Sequence, residues 1–307
     1  MTTSLKNNRR FKISMPLFQL MGVEKARQTF YQLAATIKKV DIPIGSVRDC
    51  TVKTAGRNTP VRIYSPAGEG PYPAFIFLHG GGFVVGSVEH YDGFCKKITH
   101  DVNCIVISVD YGLAPEHKFP EPVEECYEVA KWVQEHAEAL HIQSGRLAVG
   151  GESSGGNLSA SICLLARERG ELSLLYQVLI YPGLDLASDP AGKVEANGDC
   201  VIDPGTLKWF NDCYLKDSSD AVNPLASPVL APDLSGLPSV CMITAENDPL
   251  LAENELYVRR LRAAGIAVCH RHYAGVMHGF INMTGLLEEA MQAQEFVCEQ
   301  LRQVFDR

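Results

Sequence analysis

A chain of 307 residues is long enough to bury about three quarters of its unfolded surface, which allows one large domain or two smaller ones. Its composition, with 46% hydrophobic and 21% charged residues, is typical of soluble globular proteins, and no apolar run approaches the length of a membrane span. The formal net charge of −8 and the lack of a basic stripe argue against nucleic acid as a partner.

The cysteines indicate the redox compartment. There are ten, they are scattered along the chain, and no two form a Cys-x-x-Cys pair. Several of them, such as Cys104 and Cys163, lie inside apolar runs. Free buried thiols explain this pattern better than a disulfide framework or a zinc site. The sequence therefore predicts a cytoplasmic protein without a bound metal.

Residues 1–23 are basic, and they contain no acidic residue. This composition faintly resembles an organelle transit peptide, but the segment lacks the apolar core of a secretory signal. We interpret it as a short polar tail that leads into an amphipathic helix, because apolar residues from Phe18 to Leu33 recur at nearly helical spacing. The sequence Asp41-Ile-Pro-Ile-Gly45 predicts the end of this helix.

From residue 47 onwards, short apolar runs alternate with turn residues and helical patterns. The first two runs, 47–54 and 59–65, predict a hairpin. Further strands are predicted at 72–78, 105–109, 147–149, 174–181, 239–245 and 267–273, and helices at 123–136, 154–169, 206–215, 252–264 and 286–305. Such alternation predicts a mainly parallel sheet covered on both faces. Between 182 and about 227 no clear strand is present, which is typical of a lid or binding insertion.

The most informative stretch is Gly151-Glu-Ser-Ser-Gly155, which lies between a predicted strand and a predicted helix. This order is typical of a nucleophile elbow, a sharp turn that presents a serine hydroxyl to a base. A non-glycine residue in such a turn costs about 1–3 kcal/mol, so its neighbours must be small. Taken alone, the motif fits equally well an ordinary glycine turn that cradles a phosphate.

A second glycine-rich stretch, His79-Gly-Gly-Gly-Phe83, follows the buried strand at 72–78. Backbone N–H groups can point at the negative oxygen of a tetrahedral intermediate only where side chains do not intrude, and consecutive glycines meet that requirement. We predict an oxyanion hole formed by the N–H groups of Gly80, Gly81 and Ser154. The alternative is a flexible glycine loop.

An acid and a histidine follow the elbow, each just past the end of a predicted strand. Asp248 follows strand 239–245, and His278 follows strand 267–273. Ligands bind at this edge of open α/β sheets, and the order serine, acid, histidine is that of α/β-hydrolases. The sequence therefore predicts a triad in which His278 takes the proton of Ser153 and Asp248 stabilises the imidazolium.

Other titratable residues are weaker candidates. Asp110 and Glu246 also lie near strand ends, where each is interpretable as a structural residue or an ion-pair partner. We expect Glu253 to be a solvated helix residue, and His270 and His272 to be packed or solvated on one face of a strand.

Four ordered motifs resemble those of the hormone-sensitive-lipase-like family of α/β-hydrolase esterases: His79-Gly-Gly-Gly-Phe83, Gly151-Glu-Ser-Ser-Gly-Gly156, Asp248-Pro-Leu250 and His278-Gly-Phe280. The resemblance extends from about residue 47 to the end of the chain. It implies an α/β-hydrolase fold with an eight-stranded, mainly parallel sheet and hydrolysis of short- or medium-chain carboxylic esters without a cofactor. It also implies a helical cap built from residues 1–45 and 183–222, with 46–182 and 223–307 as the core.

The chain departs from the family pattern at three positions. The family commonly has aspartate before the nucleophile and alanine after it, where this chain has Glu152 and Ser154. Gly112 replaces the arginine of the usual Tyr-Arg-Leu-Ala-Pro-Glu sequence. The plant hormone receptors of the family have lost the catalytic histidine, whereas this chain keeps His278. These departures bear on substrate and rate, because no reacting group is removed.

Two classes of function follow. The first is a serine carboxylesterase that acts through an acyl-enzyme on Ser153, with amidase, lactonase or deacetylase activity as alternatives that use the same triad. The second is a non-catalytic small-ligand-binding protein on the same fold. The predicted pocket residues, for which plain cap packing is the alternative, are Phe83, Val84, Trp209, Phe210 and Tyr214. A small ester is the expected partner, and an edge strand near 267–273 would allow a homo-oligomer.

Overall fold

The computed structural model describes residues 17–35, 42–197 and 201–306, and the side chains of 34–35 and 196–197 are not described. The predicted polar tail, the first residue of the predicted break at Asp41, and Cys200 lie outside these ranges. The described strands are β1 Ser46–Lys53, β2 Asn58–Ser65, β3 Tyr72–Leu78, β4 Ile105–Val109, β5 Ile142–Glu152, β6 Tyr176–Ile180, β7 Ser239–Asn247 and β8 Val268–Met277.

These strands form one eight-stranded sheet in the order β1-β2-β4-β3-β5-β6-β7-β8. The pairs β1–β2 and β2–β4 are antiparallel. All remaining neighbours are parallel. The predicted hairpin and the predicted eight-stranded, mainly parallel sheet are therefore confirmed.

Two apolar layers cover the sheet. Along β3, Ile76 and Leu78 belong to one buried cluster, whereas Phe75 and Phe77 belong to the other, because successive side chains of a strand point to opposite faces. The helices are α1 Val23–Ala35, α2 Asp92–Val102, α3 Glu121–Glu135, α4 Ser154–Arg169, α5 Pro190–Asn197, α6 Pro204–Tyr214, α7 Leu251–Ala263 and α8 Glu288–Phe305. Helices α3, α4 and α7 pack in the first cluster, and α2 and α8 in the second.

The structure contains two helices that the sequence patterns did not predict, α2 and α5. The buried side chains Phe94, Cys95, Ile98 and Val102 give α2 its apolar face, so a helical period is present although charged residues interrupt it. Helix α5 has no described buried residue. Its sequence carries no core-facing stripe, and prediction from hydrophobic period fails for that reason.

The sheet fixes where the chemistry can occur. Strands β3, β5, β7 and β8 run parallel, so their carboxyl ends meet at one edge. The segments that leave this edge are the glycine loop after β3, the elbow after β5 and the two segments that carry Asp248 and His278. Among the described residues, no helix has the length and apolar character needed to cross a membrane.

Candidate active site

Ser153 occupies a strained turn between β5 and α4. Its backbone has φ of 53° and ψ of −115°, in the region that residues with a Cβ rarely adopt. The turn depends on its glycines, because a Cβ on Gly155 would lie 2.0 Å from the carbonyl oxygen of Leu78. A Cβ on Gly151 would lie 2.4 Å from the carbonyl carbon of Gly155. This geometry matches the predicted strand, elbow and helix.

Ser153, His278 and Asp248 form a hydrogen-bonded chain. His278 Nδ1 lies 2.7 Å from Asp248 Oδ2, and His278 Nε2 lies 2.9 Å from Ser153 Oγ. An ionised carboxylate only accepts, so Nδ1–H donates to Asp248 and Nε2 is left to accept from the serine hydroxyl. The backbone N–H of Leu250 donates to the other oxygen of Asp248 at 2.8 Å and orients the carboxylate.

The electrostatic surroundings favour a protonated His278. Burial by itself lowers the pKa of this imidazole, but the charge and hydrogen bond of Asp248 outweigh burial. Glu152 and Glu253 contribute in the same direction, and the pKa of His278 stands above its ordinary value of 6.5. The site is therefore built to stabilise the imidazolium that forms when the serine loses its proton.

The glycine-rich segment at 79–85, here called the oxyanion loop, follows β3. Gly81 and Gly82 line the cavity together with Ser154, and both glycines have positive φ, 130° and 59°. Gly80, a predicted oxyanion donor, makes another contact in the structure. Its N–H donates to the hydroxyl of Tyr91 at 3.2 Å, and Gly80 is not among the residues that line the cavity.

A cavity of about 330 Å³ opens beside Ser153. Most of its lining surface is apolar, and the apolar side chains come from Phe18, Phe30, Leu33, Phe83, Val85, Leu186, Pro190, Val201, Ile202, Leu207, Phe210, Leu250, Met283 and Leu286. The polar groups around Ser153 include Glu152, His278 and Asn282. An apolar pocket with a few convergent polar groups is the usual form of a small-molecule site.

The predicted pocket residues divide into two groups. Phe83 and Phe210 line the cavity, whereas Val84, Trp209 and Tyr214 do not. Tyr214 stacks on the far side of Phe83 with ring centroids 3.7 Å apart, and Trp209 packs against Phe210 at 5.3 Å. These two aromatic residues support the cavity wall without forming its surface. Val84 is fully buried.

Helix α1 closes one side of the cavity and is fastened by Arg27. The guanidinium donates to the carbonyl of Val84 in the oxyanion loop and to that of Ala114, both at 2.9 Å. It also makes two hydrogen bonds to the carboxylate of Glu116, at 2.8 and 2.6 Å. Phe18, Phe30 and Leu33, which precede or belong to this helix, were not predicted to line the pocket.

Glu253 differs from its prediction as a solvated residue. Its carboxylate is buried and accepts from the N–H groups of Leu184 and Asp185 at 2.6 and 3.2 Å. Lys193 of α5 forms an ion pair with it. Burial raises the pKa of Glu253, and the lysine opposes that rise. A hydrophobic period does not distinguish an exposed acid from one buried under a neighbouring segment.

The remaining candidates lie outside the triad. Thr244 Oγ1 is within hydrogen-bonding distance of His270 Nε2 at 2.9 Å and of His272 Nδ1 at 3.1 Å, so both histidines serve packing on β8. Glu246 accepts from the N–H of Gly275 at 2.6 Å, and the N–H of Asp110 donates to Pro60. Within the described ranges, no group of three or more potential ligands could hold a metal ion.

Sequence reasoning did not identify Tyr91 and Tyr181. Both are buried next to the elbow, and the ring of Tyr181 lies 4.7 Å from that of His278. Tyr91 lines the cavity and bonds to Glu152. Tyr181 directly follows β6, so its position after a central strand was the one signal available.

Known proteins share the family and fold of this chain. The family model described as alpha/beta hydrolase fold matches residues 75–282. The carboxylic ester hydrolase LipN of Mycobacterium tuberculosis is 38% identical over 77% of this chain, and the match spans 65% of LipN, slightly less than two thirds. The ethyl acetate hydrolase of Pseudomonas putida is 35% identical over 92% of this chain and 91% of its own length. A solved esterase of the archaeon Pyrobaculum calidifontis is 39% identical with a TM-score of 0.89, covering 94% of this chain and 98% of that one.

Proposed function

Because the chain belongs to the hormone-sensitive-lipase-like family of the α/β-hydrolase fold and is a carboxylic ester hydrolase, we propose that Ser153, His278 and Asp248 are its catalytic triad. The observation that carries this proposal is the unbroken hydrogen-bonded chain from Asp248 Oδ2 to Ser153 Oγ, which ends at the cavity. A carboxylate, an imidazole and a hydroxyl in this order are the parts of a serine hydrolase.

The reaction follows from these positions. His278 Nε2 accepts the proton of Ser153 as Oγ attacks the ester carbonyl, and Asp248 stabilises the resulting imidazolium. We assign the oxyanion to the N–H groups of Gly81, Gly82 and Ser154, because these three residues face the cavity beside Oγ. The imidazolium then gives its proton to the leaving alcohol. A water molecule, activated by the same histidine, hydrolyses the acyl-enzyme.

Short- to medium-chain esters are the proposed substrates. A cavity of about 330 Å³ is at the lower end of the range for small-molecule sites. Its lining is mostly apolar, as an acyl chain or a simple alcohol requires. The relative from Pseudomonas putida is named for hydrolysis of a small ester, ethyl acetate. Amidase, lactonase and deacetylase activities remain alternatives to be compared on the same triad.

The cap and the cellular location are also part of this proposal. We assign residues 1–45 and 183–222 to a cap over the core, because Phe18 and Phe30 from the first segment and Leu207 and Phe210 from the second meet in the cavity wall.

A cytoplasmic location is supported by the nine described cysteines, all of which are free thiols.

The test is to replace the nucleophile. Ser153→Ala is expected to keep the fold and to lower kcat on a p-nitrophenyl butyrate substrate by at least about 10³-fold, because the acyl-enzyme cannot form. Ser235→Ala, on an exposed serine, is the control and should leave kcat unchanged. Undiminished turnover by Ser153→Ala would overturn the triad.

A second measurement separates the function classes. An organophosphonate should add covalently to Ser153 in the wild-type protein and leave Ser153→Ala unlabelled, as mass spectrometry of the active-site peptide would show. A protein that only binds ligands gives neither turnover nor adduct. Rates on an ester, an anilide and a lactone with the same acyl group then rank the alternative activities.

A further inference from the structure

The residue before the nucleophile, Glu152, is a buried carboxylate. Its residue exposure is 4%, and among the described residues no lysine or arginine forms an ion pair with it. Burying an unpaired carboxylate is costly unless hydrogen bonds compensate. Hydrogen bonds from neighbouring side chains therefore have to stabilise Glu152.

One hydrogen-bonded arm leads from Glu152 to the oxyanion loop. The hydroxyl of Tyr91 donates to Glu152 Oε2 at 2.8 Å. The same hydroxyl accepts from the N–H of Gly80 at 3.2 Å. Gly80 immediately precedes Gly81, so the orientation of the next peptide unit depends on this bond. Tyr91 thereby connects the residue before the nucleophile to the start of the proposed oxyanion hole.

Tyr181 contacts the segment that carries the base, residues 278–282, here called the histidine loop. Its hydroxyl is also near enough to the Glu152 carboxyl group to lower the pKa of that group. That hydroxyl accepts from the N–H of Ile281 at 3.3 Å, three residues after His278. The ring of Tyr181 packs 4.7 Å from the imidazole. Tyr181 also has a positive φ of 33°, a strained backbone that its surroundings must hold in place.

The contact between Glu152 and the oxyanion loop is also steric. A Cβ on Gly80 would lie 1.6 Å from Glu152 Oε2, so any side chain at this position would have to displace the carboxylate. The carboxylate therefore occupies the space that any other residue at position 80 would fill. Glu152 reaches Tyr91 only because position 80 is a glycine.

We propose that Glu152 is a positioning residue that holds the oxyanion loop in register with Ser153 through the hydroxyl of Tyr91, next to the Tyr181 side chain that packs against the imidazole of His278. This inference rests on the proposed function, since it assigns a role relative to that triad. The carboxylate touches no reacting atom. Its effect is to place the N–H groups of the loop correctly for the transition state, where small displacements have large effects on rate.

The surroundings of Glu152 also affect its titration. The pKa of the carboxyl group stands above its ordinary value, because burial and the charge of Asp248 raise it more than His278 and the two tyrosine hydroxyls lower it. The hydrogen bond from Tyr91 is therefore one of the few interactions that favour the ionised form.

The test is a double-mutant cycle on Tyr91→Phe and Glu152→Gln, measured on a short p-nitrophenyl ester at a pH above the titration of His278. Each single change is expected to lower kcat about tenfold, part of the 10²–10³-fold effect of losing an oxyanion donor outright, with KM within about twofold. The double variant should be no more than about twofold slower than either single variant, because both changes break the same arm.

Tyr257→Phe provides a matched control. Tyr257 is fully buried in the core, and its hydroxyl has no hydrogen-bond partner among the described residues. The variant alone should leave kcat unchanged, and combined with Glu152→Gln it should give the product of the two effects. Thermal unfolding checks that each variant folds. If Tyr91→Phe does not fold, the kcat and KM of Glu152→Gln are compared with those of Tyr257→Phe.

The inference is overturned if the single variants keep the wild-type kcat, if the loss is in KM, or if Tyr91→Phe and Glu152→Gln multiply as independent changes do. Failure of the proposed function gives a different result. In that case the wild-type protein forms no phosphonate adduct at Ser153, whereas failure of the positioning role alone leaves adduct formation and the effect of Ser153→Ala intact.

Discussion

The edge of the sheet and the wall of the cavity are built in different ways. Ser153, Asp248 and His278 follow β5, β7 and β8, so strand order and direction bring them together. The cavity wall is assembled from the oxyanion loop, the N-terminal segment and the insertion after β6. Topology determines the first arrangement, and contacts between side chains that are remote in sequence determine the second.

The two regions are therefore expected to tolerate substitutions differently. A triad residue has one set of partners, fixed by the backbone on which it lies. A wall residue such as Phe210 can be replaced by another apolar side chain at a modest cost, because apolar packing is not directional. Substitutions at the carboxyl edge of the sheet are therefore expected to abolish turnover. Substitutions in the cavity wall are expected to change the relative kcat/KM values for different esters.

The largest effect is expected at Asp248. Asp248→Asn keeps the size of the side chain but removes the charge that stabilises the imidazolium, and kcat should fall by about 10⁴-fold. Glu246→Gln is the control, since Glu246 bonds to Gly275 and not to His278. Its kcat should remain within about twofold of wild type. Steady-state rates on p-nitrophenyl butyrate measure both, and equal losses in the two variants would contradict the assignment.

A smaller effect is expected in the wall. Phe210 lines the cavity, and its ring lies against Gly82, where a Cβ would be 2.4 Å away. Phe210→Ala should raise the ratio of kcat/KM for octanoate over butyrate esters by about tenfold, because the enlarged cavity accepts a longer chain.

Trp209→Ala is the matched control for the wall, because this neighbouring aromatic residue does not line the cavity. We expect it to leave the chain-length ratio within about twofold of wild type while lowering the melting temperature. If the two variants shift the ratio equally, the described cavity is not the acyl site.

The smallest effect concerns pH. Because His278 acts as a base only when it is unprotonated, kcat/KM should rise with pH. The pH at which kcat/KM is half-maximal should lie above 6.5, since the pKa of His278 is raised. Asp248, Glu152 and Glu253 all favour the imidazolium, so removing the charge in Glu152→Gln lowers that pKa and moves the half-maximal point to lower pH. A shift to higher pH on substitution would contradict this arrangement.

The sequence predicted the sheet and the geometry of Ser153, His278 and Asp248 because both depend on local signals. Apolar runs mark parallel strands, and a polar residue just after a run lies at the reactive edge. The wall was predicted less well. Trp209 and Phe210 are adjacent in the same helical pattern, and Phe18 packs against both rings. Only the folded structure shows that Phe210 lines the cavity and Trp209 does not.

The role of Gly80 shows the same limit. The glycine-rich sequence led to a prediction of Gly80 and Gly81 as oxyanion donors with Ser154, whereas the N–H of Gly80 bonds to Tyr91, which lies eleven positions further along the chain. Glu253 is a similar case, since its burial depends on Lys193 and on the segment at 184–185. The hydrophobic period of a sequence predicts single helices and strands. It does not predict contacts between side chains of different elements, such as these.

The separation of the nucleophile from its base has a consequence for synthesis. Ser153 and His278 are 125 residues apart in the sequence, yet their side chains share one hydrogen bond. While the ribosome adds the intervening residues, the nascent chain carries a serine that no imidazole activates. Hydrolysis by the proposed triad therefore begins late, when the strand that precedes His278 has paired with β7, and an incomplete chain does not cleave the esters around it.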